Sequence, residues 1–171
     1  SVMKVVYYPD DPLTQKADPV EKFDKKLEEL IVDMLDTMHE FKGVGLAGPQ
    51  VGVKKRLFVL QEEPDSDELY FINPVIEDMD GSEVGEEGCL SMPEVYADVP
   101  RATYIRLTAQ DLEGNTFEME AEGFLARIIQ HEYDHINGIM FPERIDIITR
   151  QDRYREWAVV RERKLSESEE D

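Results

Sequence analysis

Cysteine is nearly missing from this chain. Cys89 is the only one in 171 residues, so no disulfide can form within it. A single thiol excludes the disulfide-stapled scaffolds of small secreted domains and fits a reducing compartment. Long apolar runs are missing too, and nothing approaches the roughly eighteen residues needed to span a bilayer. The opening Ser1-Val2-Met3-Lys4-Val5-Val6-Tyr7 has neither the layout of a signal peptide nor the Arg/Ser richness of a transit peptide. The expected location is therefore the cytoplasm, and a processed organellar form is compatible with the same start. Positive charge is scarce: 19 Lys and Arg stand against 39 Asp and Glu, a net charge of −20. Such a surface repels nucleic-acid backbones and anionic membranes, which argues against DNA and membrane partners. The charge fits two readings, suppression of aggregation and adaptation to high salt, where screening relieves self-repulsion.

The length suits one domain, expected over residues 1–165, followed by a disordered acidic tail over 166–171. Asp18-Pro19 reads as a helix cap, and Val20, Phe23, Leu27, Leu30, Ile31, Met34, Leu35, Met38 and Phe41 keep helical spacing up to about Gly43. His39 lies off that stripe and is expected at the surface. From Lys55 to Glu122 short β runs follow: Arg56–Leu60, Leu69–Ile72, Val75–Asp78, Tyr104–Ala109 and Thr116–Glu120. Tight turns between them favour antiparallel pairing. A helix from about Gly123 to Asn137, stopped by Gly138, and a last one over about Thr149–Lys164 complete the pattern. The expectation is an α+β fold with short, mostly antiparallel strands around a central helix, flanked by an amino-terminal and a long carboxy-terminal helix.

That central helix carries His131-Glu132-Tyr133-Asp134-His135. Residues four apart share a helix face, so both imidazoles can meet one metal ion, and Glu132 can reach a water held there. A catalytic metal usually takes a third protein ligand and keeps one open position. Cys89, in Glu86-Glu87-Gly88-Cys89-Leu90-Ser91-Met92-Pro93, can supply a thiolate. A nucleophilic Cys paired with one His is the rival, but it leaves His135 and Glu132 without roles. The glycines of Gly43-Val44-Gly45-Leu46-Ala47-Gly48-Pro49-Gln50 allow close backbone approach, and no Lys-Ser/Thr follows them as phosphate binding would require.

In this order, Gly43–Gln50, Glu87–Ser91 and His131–His135 resemble the three signature motifs of the peptide deformylases, G-x-G-L-A-A-x-Q, E-G-C-L-S and H-E-x-D-H. The likeness covers roughly Tyr7 to Phe141, and the long last helix fits the bacterial type. The resemblance implies a metal-dependent hydrolase that removes the formyl group from the N-formylmethionine of nascent polypeptides, by attack of metal-held water or hydroxide on the formyl carbon. It implies Cys89, His131 and His135 as ligands of one divalent ion, Fe(II) in the native state with Zn, Ni or Co able to substitute. Glu132 becomes the general acid/base, and Gln50 with the backbone N–H of Leu90 the oxyanion donors. An extended peptide would lie along Val44, Gly45 and Gly88, its methionine in a pocket near Val44, Phe124, Ile128 and His131.

Gly48 stands where the family motif has a second Ala, which predicts a looser loop, and Pro12-Leu13-Thr14 lacks a basic residue common there. A metallopeptidase of another specificity usually recruits a third His or Glu, and a structural zinc site a fourth ligand; neither is evident. Arg150, Arg153, Arg155, Arg161, Arg163 and Lys164 make the last helix the one strongly basic stretch. Since the substrate emerges from ribosomes, that stretch suggests a ribosome contact.

Overall fold

Asp24, rather than Asp18, starts the first helix. In the computed structural model, which describes residues 1–170, α1 spans Lys25–Glu40 and the Asp24 carboxylate accepts the Leu27 N–H at 3.1 Å. The preceding segment is held extended instead. Asp18 pairs with Lys55, and the Asn73 side chain bonds both the N–H of Val20 (2.8 Å) and its carbonyl (2.9 Å). Val20 is still buried, so its match to the helical stripe reflected burial and not helix. At the other end Lys42 takes the left-handed conformation (φ +57°) and lets the Gly43 N–H close on Met38 at 2.9 Å. His39 is exposed as expected, 2.8 Å from Glu68.

Five strands form one antiparallel sheet in the order β1 (Gly45–Ala47), β2 (Leu57–Leu60), β3 (Leu69–Asp80), β6 (Tyr104–Gln110), β7 (Thr116–Glu122). The two runs expected at Leu69–Ile72 and Val75–Asp78 are one strand. Asn73 at φ +51° and Pro74 sit where the register shifts, and there the missing proline N–H disturbs no ladder. All of β2 is buried because its alternation feeds two cores. Phe58 and Leu60 pack with Ala126, Ile129 and Ile136 of helix α2 (Gly123–Ile136), while Leu57 and Val59 pack with Leu27, Ile31 and Met34 of α1. The sheet is thus sandwiched between α1 and α2.

Two further strands, β4 (Glu83–Cys89) and β5 (Met92–Arg101), make a separate antiparallel hairpin that sequence reading missed. The acidic, glycine-containing β4 and the two prolines of β5 masked it, although Val95, Ala97 and Val99 alternate inward. Its turn places Cys89 opposite Met92, beside α2. Gly123 (φ +59°) turns the chain from β7 into α2, and Gly138 (φ +77°) ends α2 as expected. Helix α3 (Ile147–Glu170) extends into the segment read as an acidic tail, and Asp171 lies outside the described residues. Trp157 anchors α3: it is 2 % exposed, and its indole N–H donates to the Tyr8 carbonyl at 2.7 Å. Among the described residues, no helix is long and apolar enough to cross a membrane.

Candidate metal centre and catalytic cleft

One helical turn separates His131 from His135, and both are buried on the face of α2 that meets the β4–β5 turn. Their Nε2 atoms lie 3.2 Å apart, and Cys89 Sγ is 3.3 Å from Nε2 of His135. The three ligand atoms all fall within 4.8 Å of one another. A tetrahedral ion with metal–sulfur bonds of about 2.3 Å and metal–nitrogen bonds of about 2.0–2.1 Å needs donors roughly 3.3–3.6 Å apart. The set therefore fits a divalent metal with one position left open. Burial and the adjacent His131 push His135 well below the usual histidine range, leaving its lone pair free to bind a metal.

Glu132 follows the first ligand and is 3 % exposed. Its Oε1 has no hydrogen-bond partner among the described residues, a costly arrangement that persists where function requires it. Burial pushes its carboxyl up to about 7, with His131 opposing the shift. Gly45 faces it so closely that a β-carbon there would come within 2.7 Å of Glu132 Oε2, which explains the glycine.

Gln50 sits in a short 3-10 turn (Gly48–Val51) after β1, and its orientation is set locally. Its Oε1 accepts the Ala47 N–H at 2.9 Å, so its amide nitrogen must point the other way, 3.4 Å from Cys89 Sγ and 3.3 Å from Ser91 Oγ. Gly48, where the family motif has an Ala, opens that turn with its backbone close against the next stretch of chain. The carbonyl oxygens of Val53 and Lys55 close in to 2.8 Å from where its β-carbon would stand.

A buried ionic chain lies behind the ligands, and sequence reading missed it. Glu87 Oε1 holds Nδ1 of His131 at 2.8 Å and thereby aims Nε2 at the site. Arg101 grips both Glu87 oxygens at 2.9 Å and also donates to Asp134 at 2.6 Å. Arg127 adds a bond to Glu87 at 2.7 Å, and Arg144 one to Asp134 at 2.6 Å. Burial works against ionisation of Glu87, yet the bonds from Arg101 and His131 outweigh it and hold the carboxyl well below the usual range. Glu87 and Asp134 stand inside the motifs; Arg101 carries no local signal at all.

A cleft of about 500 Å³ opens onto these groups. Val44, Gly45, Gly88, Phe124 and Ile128 all line it, as do Gln50, Leu90, Cys89, His131 and Glu132. Val44 and Phe124 are exposed, whereas Ile128 is also part of the α2 core. A larger cavity of about 680 Å³ lies between the amino-terminal arm and α3, but no cysteine or histidine lines it. The chemistry is concentrated in the smaller cleft, whose donor set and buried carboxylate are those of a metal-centred hydrolase.

The family profile described as Polypeptide deformylase matches residues 2–151. The chain is 47 % identical to the peptide deformylase of Chromobacterium violaceum over 88 % of its own length and 91 % of that relative's. With peptide deformylase 1 of Bacillus subtilis the identity is again 47 %, over 85 % and 91 %. The crystal structure of a peptide deformylase from Legionella pneumophila superposes with a TM-score of 0.90 at 39 % identity, covering 96 % of this chain and 98 % of that one. The chain belongs to the polypeptide deformylase family, metal-dependent enzymes that remove the formyl group from N-formylmethionyl peptides.

Proposed function

We propose that Cys89, His131 and His135 hold one divalent ion, Fe(II) in the native enzyme with Zn, Ni or Co able to replace it, and that Glu132 is the acid/base of deformylation. The carrying observation is the convergence of three ligand atoms within 4.8 Å beside a buried carboxylate oxygen that has no partner among the described residues. When bound, such an ion lowers the pKa of a water to about 7 and polarises a carbonyl. Glu132 takes the proton of the attacking water and passes it to the departing amine, so that formate and a free methionyl amino group leave. The Gln50 amide and the Leu90 N–H donate to the formyl oxygen as it gains negative charge. The substrate lies extended along Val44, Gly45 and Gly88 with its methionine among Val44, Phe124, Ile128 and His131. Backbone recognition of this kind leaves most side chains unread, which suits an enzyme that meets many nascent chains.

The test is formate release from a formyl-Met peptide. Release should stop with a chelator, return with Fe(II), and barely occur from the acetylated analogue, whose extra methyl crowds the carbonyl. Equal rates on both substrates, or indifference to the chelator, would sink the reading.

Gln50→Leu should have two effects. Loss of an oxyanion donor should cost about 3 kcal/mol of transition-state stabilisation, mostly in kcat. The buried Ala47 N–H would also lose its acceptor, costing about 1–3 kcal/mol of stability. Kinetics corrected for the folded fraction, beside thermal melts, separate the two; a change confined to KM would make Gln50 a substrate-positioning residue.

We place this work in the cytoplasm, on polypeptides leaving the ribosome. A ribosome contact through α3 has less charge at its disposal than the sequence suggests. Arg150 donates to the carbonyls of Pro142, Glu143 and Ile145, and Arg161 pairs with Asp10. Arg155, which among the described residues pairs along its own helix with Asp152, points outward, so Arg155→Glu should weaken co-sedimentation with ribosomes at moderate salt. Unchanged co-sedimentation would remove this face of α3 from the contact.

A further inference from the structure

Glu94 stands on the wall of the cleft with φ +68°, a conformation that a β-carbon disfavours. It lies in the irregular part of the β4–β5 hairpin. Regular pairing stops after Glu87 with Ala97 and resumes only at Cys89 with Met92, so ladder hydrogen bonds do not fix the course of the stretch between. Side chains of α3 grip that stretch instead. Arg163 and Lys164 both pair with the Glu94 carboxylate, Lys164 at 3.4 Å, and Arg153 donates to the Tyr96 carbonyl at 2.8 Å. Tyr96 in turn covers Gly88, where a β-carbon would meet its ring at 2.6 Å. The side chains proposed above for the methionine pocket come from α2 and from Val44 beside β1. Glu94 and the exposed Tyr96 belong to the separate hairpin.

We infer that α3 sets this wall of the cleft, with Arg163 and Lys164 as positioning residues that act through Glu94 and Tyr96 on the part of the peptide beyond methionine. The inference rests on the peptide-binding reading above. Arg163 and Glu94 are about half exposed, so each pair is weak singly and sensitive to salt, and the grip comes from two cations on one carboxylate together with the Arg153 bond.

The experiment compares formyl-Met followed by one residue with formyl-Met followed by three, using wild type, Glu94→Gln, the double variant Arg163→Gln/Lys164→Gln, and all three changes combined. On the longer peptide KM should rise about two- to fivefold, the range expected of exposed ion pairs, with kcat unchanged. The combined variant should be no worse than either parent, because all remove the same contact. Arg163→Lys should keep most of the wild-type KM. The shorter peptide should not respond to any of them. Equal shifts on both peptides, a loss in kcat, or additive effects would overturn the proposal and leave a merely structural ion pair. Calorimetric binding of the product peptide, methionine followed by three residues, repeats the comparison without hydrolysis. A chain that binds with this pattern yet releases no formate keeps the α3 contact and loses the deformylase reading, whereas formate release without the pattern does the reverse.

Discussion

Replacing Glu132 by alanine is expected to lower kcat by about 10²–10⁴-fold, the usual worth of a positioned acid/base, while metal content and fold stay intact. The physical argument lies in what Glu132 does not do. Its Oε1 makes no hydrogen bond among the described residues, so truncation removes no partner from that oxygen. Its carboxyl is buried in a place that already disfavours its charge, so its removal should not destabilise the protein. Formate release, metal analysis and thermal melts on the same preparation make the check. Metal loss in proportion to lost activity would mean that Glu132 is a ligand or a structural group.

Arg101→Met should be the most damaging change to stability, at about 3–5 kcal/mol, because breaking a buried ion pair leaves an uncompensated charge inside. The Arg101 side chain is 4 % exposed and neutralises two carboxylates, Glu87 and Asp134, that are just as buried. Arg127 reaches Glu87 through one nitrogen and the half-exposed Arg144 reaches only Asp134, so neither replaces the two-pronged grip on Glu87. Glu87 also aims His131, so metal affinity should fall by about 10–100-fold. Arg101→Lys should recover little, since a single ammonium cannot span both Glu87 oxygens. The pH dependence has a definite sign. Against the cost of burial, Arg101 and His131 hold Glu87 ionised in the fold far below its unfolded value of about 4.3. The stability it contributes is present above that unfolded value and disappears as pH falls through the folded one. The gap between wild type and Arg101→Met should therefore narrow in acid. Urea unfolding of the metal-free proteins at several pH values decides it. A loss under about 1 kcal/mol would make the network dispensable.

What could be read from residue order alone was whatever depends on neighbours in the chain. The imidazoles of His131 and His135 share a face because 3.6 residues make a turn, and the β runs at β2, β6 and β7 show the alternation of a half-buried surface or a continuous apolar run. The ends of α2 were legible because Gly123 and Gly138 adopt conformations that other residues resist. Cys89 entered as a ligand through its motif, not through any spacing, since it stands more than forty residues from the histidines.

The tertiary structure decided the rest. The start of α1 moved to Asp24 because Asn73, on a distant strand, holds Val20 extended. The β4–β5 hairpin exists because each strand pairs with the other, and neither advertises itself beneath its prolines and glutamates. Part of the basic stretch of α3 turned toward the chain's own acids once Asp10 met Arg161 and Glu94 met Arg163 at the surface, while Arg155 stayed outward. Arg101 gained its role only when Glu87 and Asp134, fourteen and thirty-three residues away, closed around it. Periodicity and turn chemistry act over a few residues and leave a pattern in the sequence. Ion pairing and burial act across space between residues of any separation, so their partners were set by the packing of sheet, hairpin and helices.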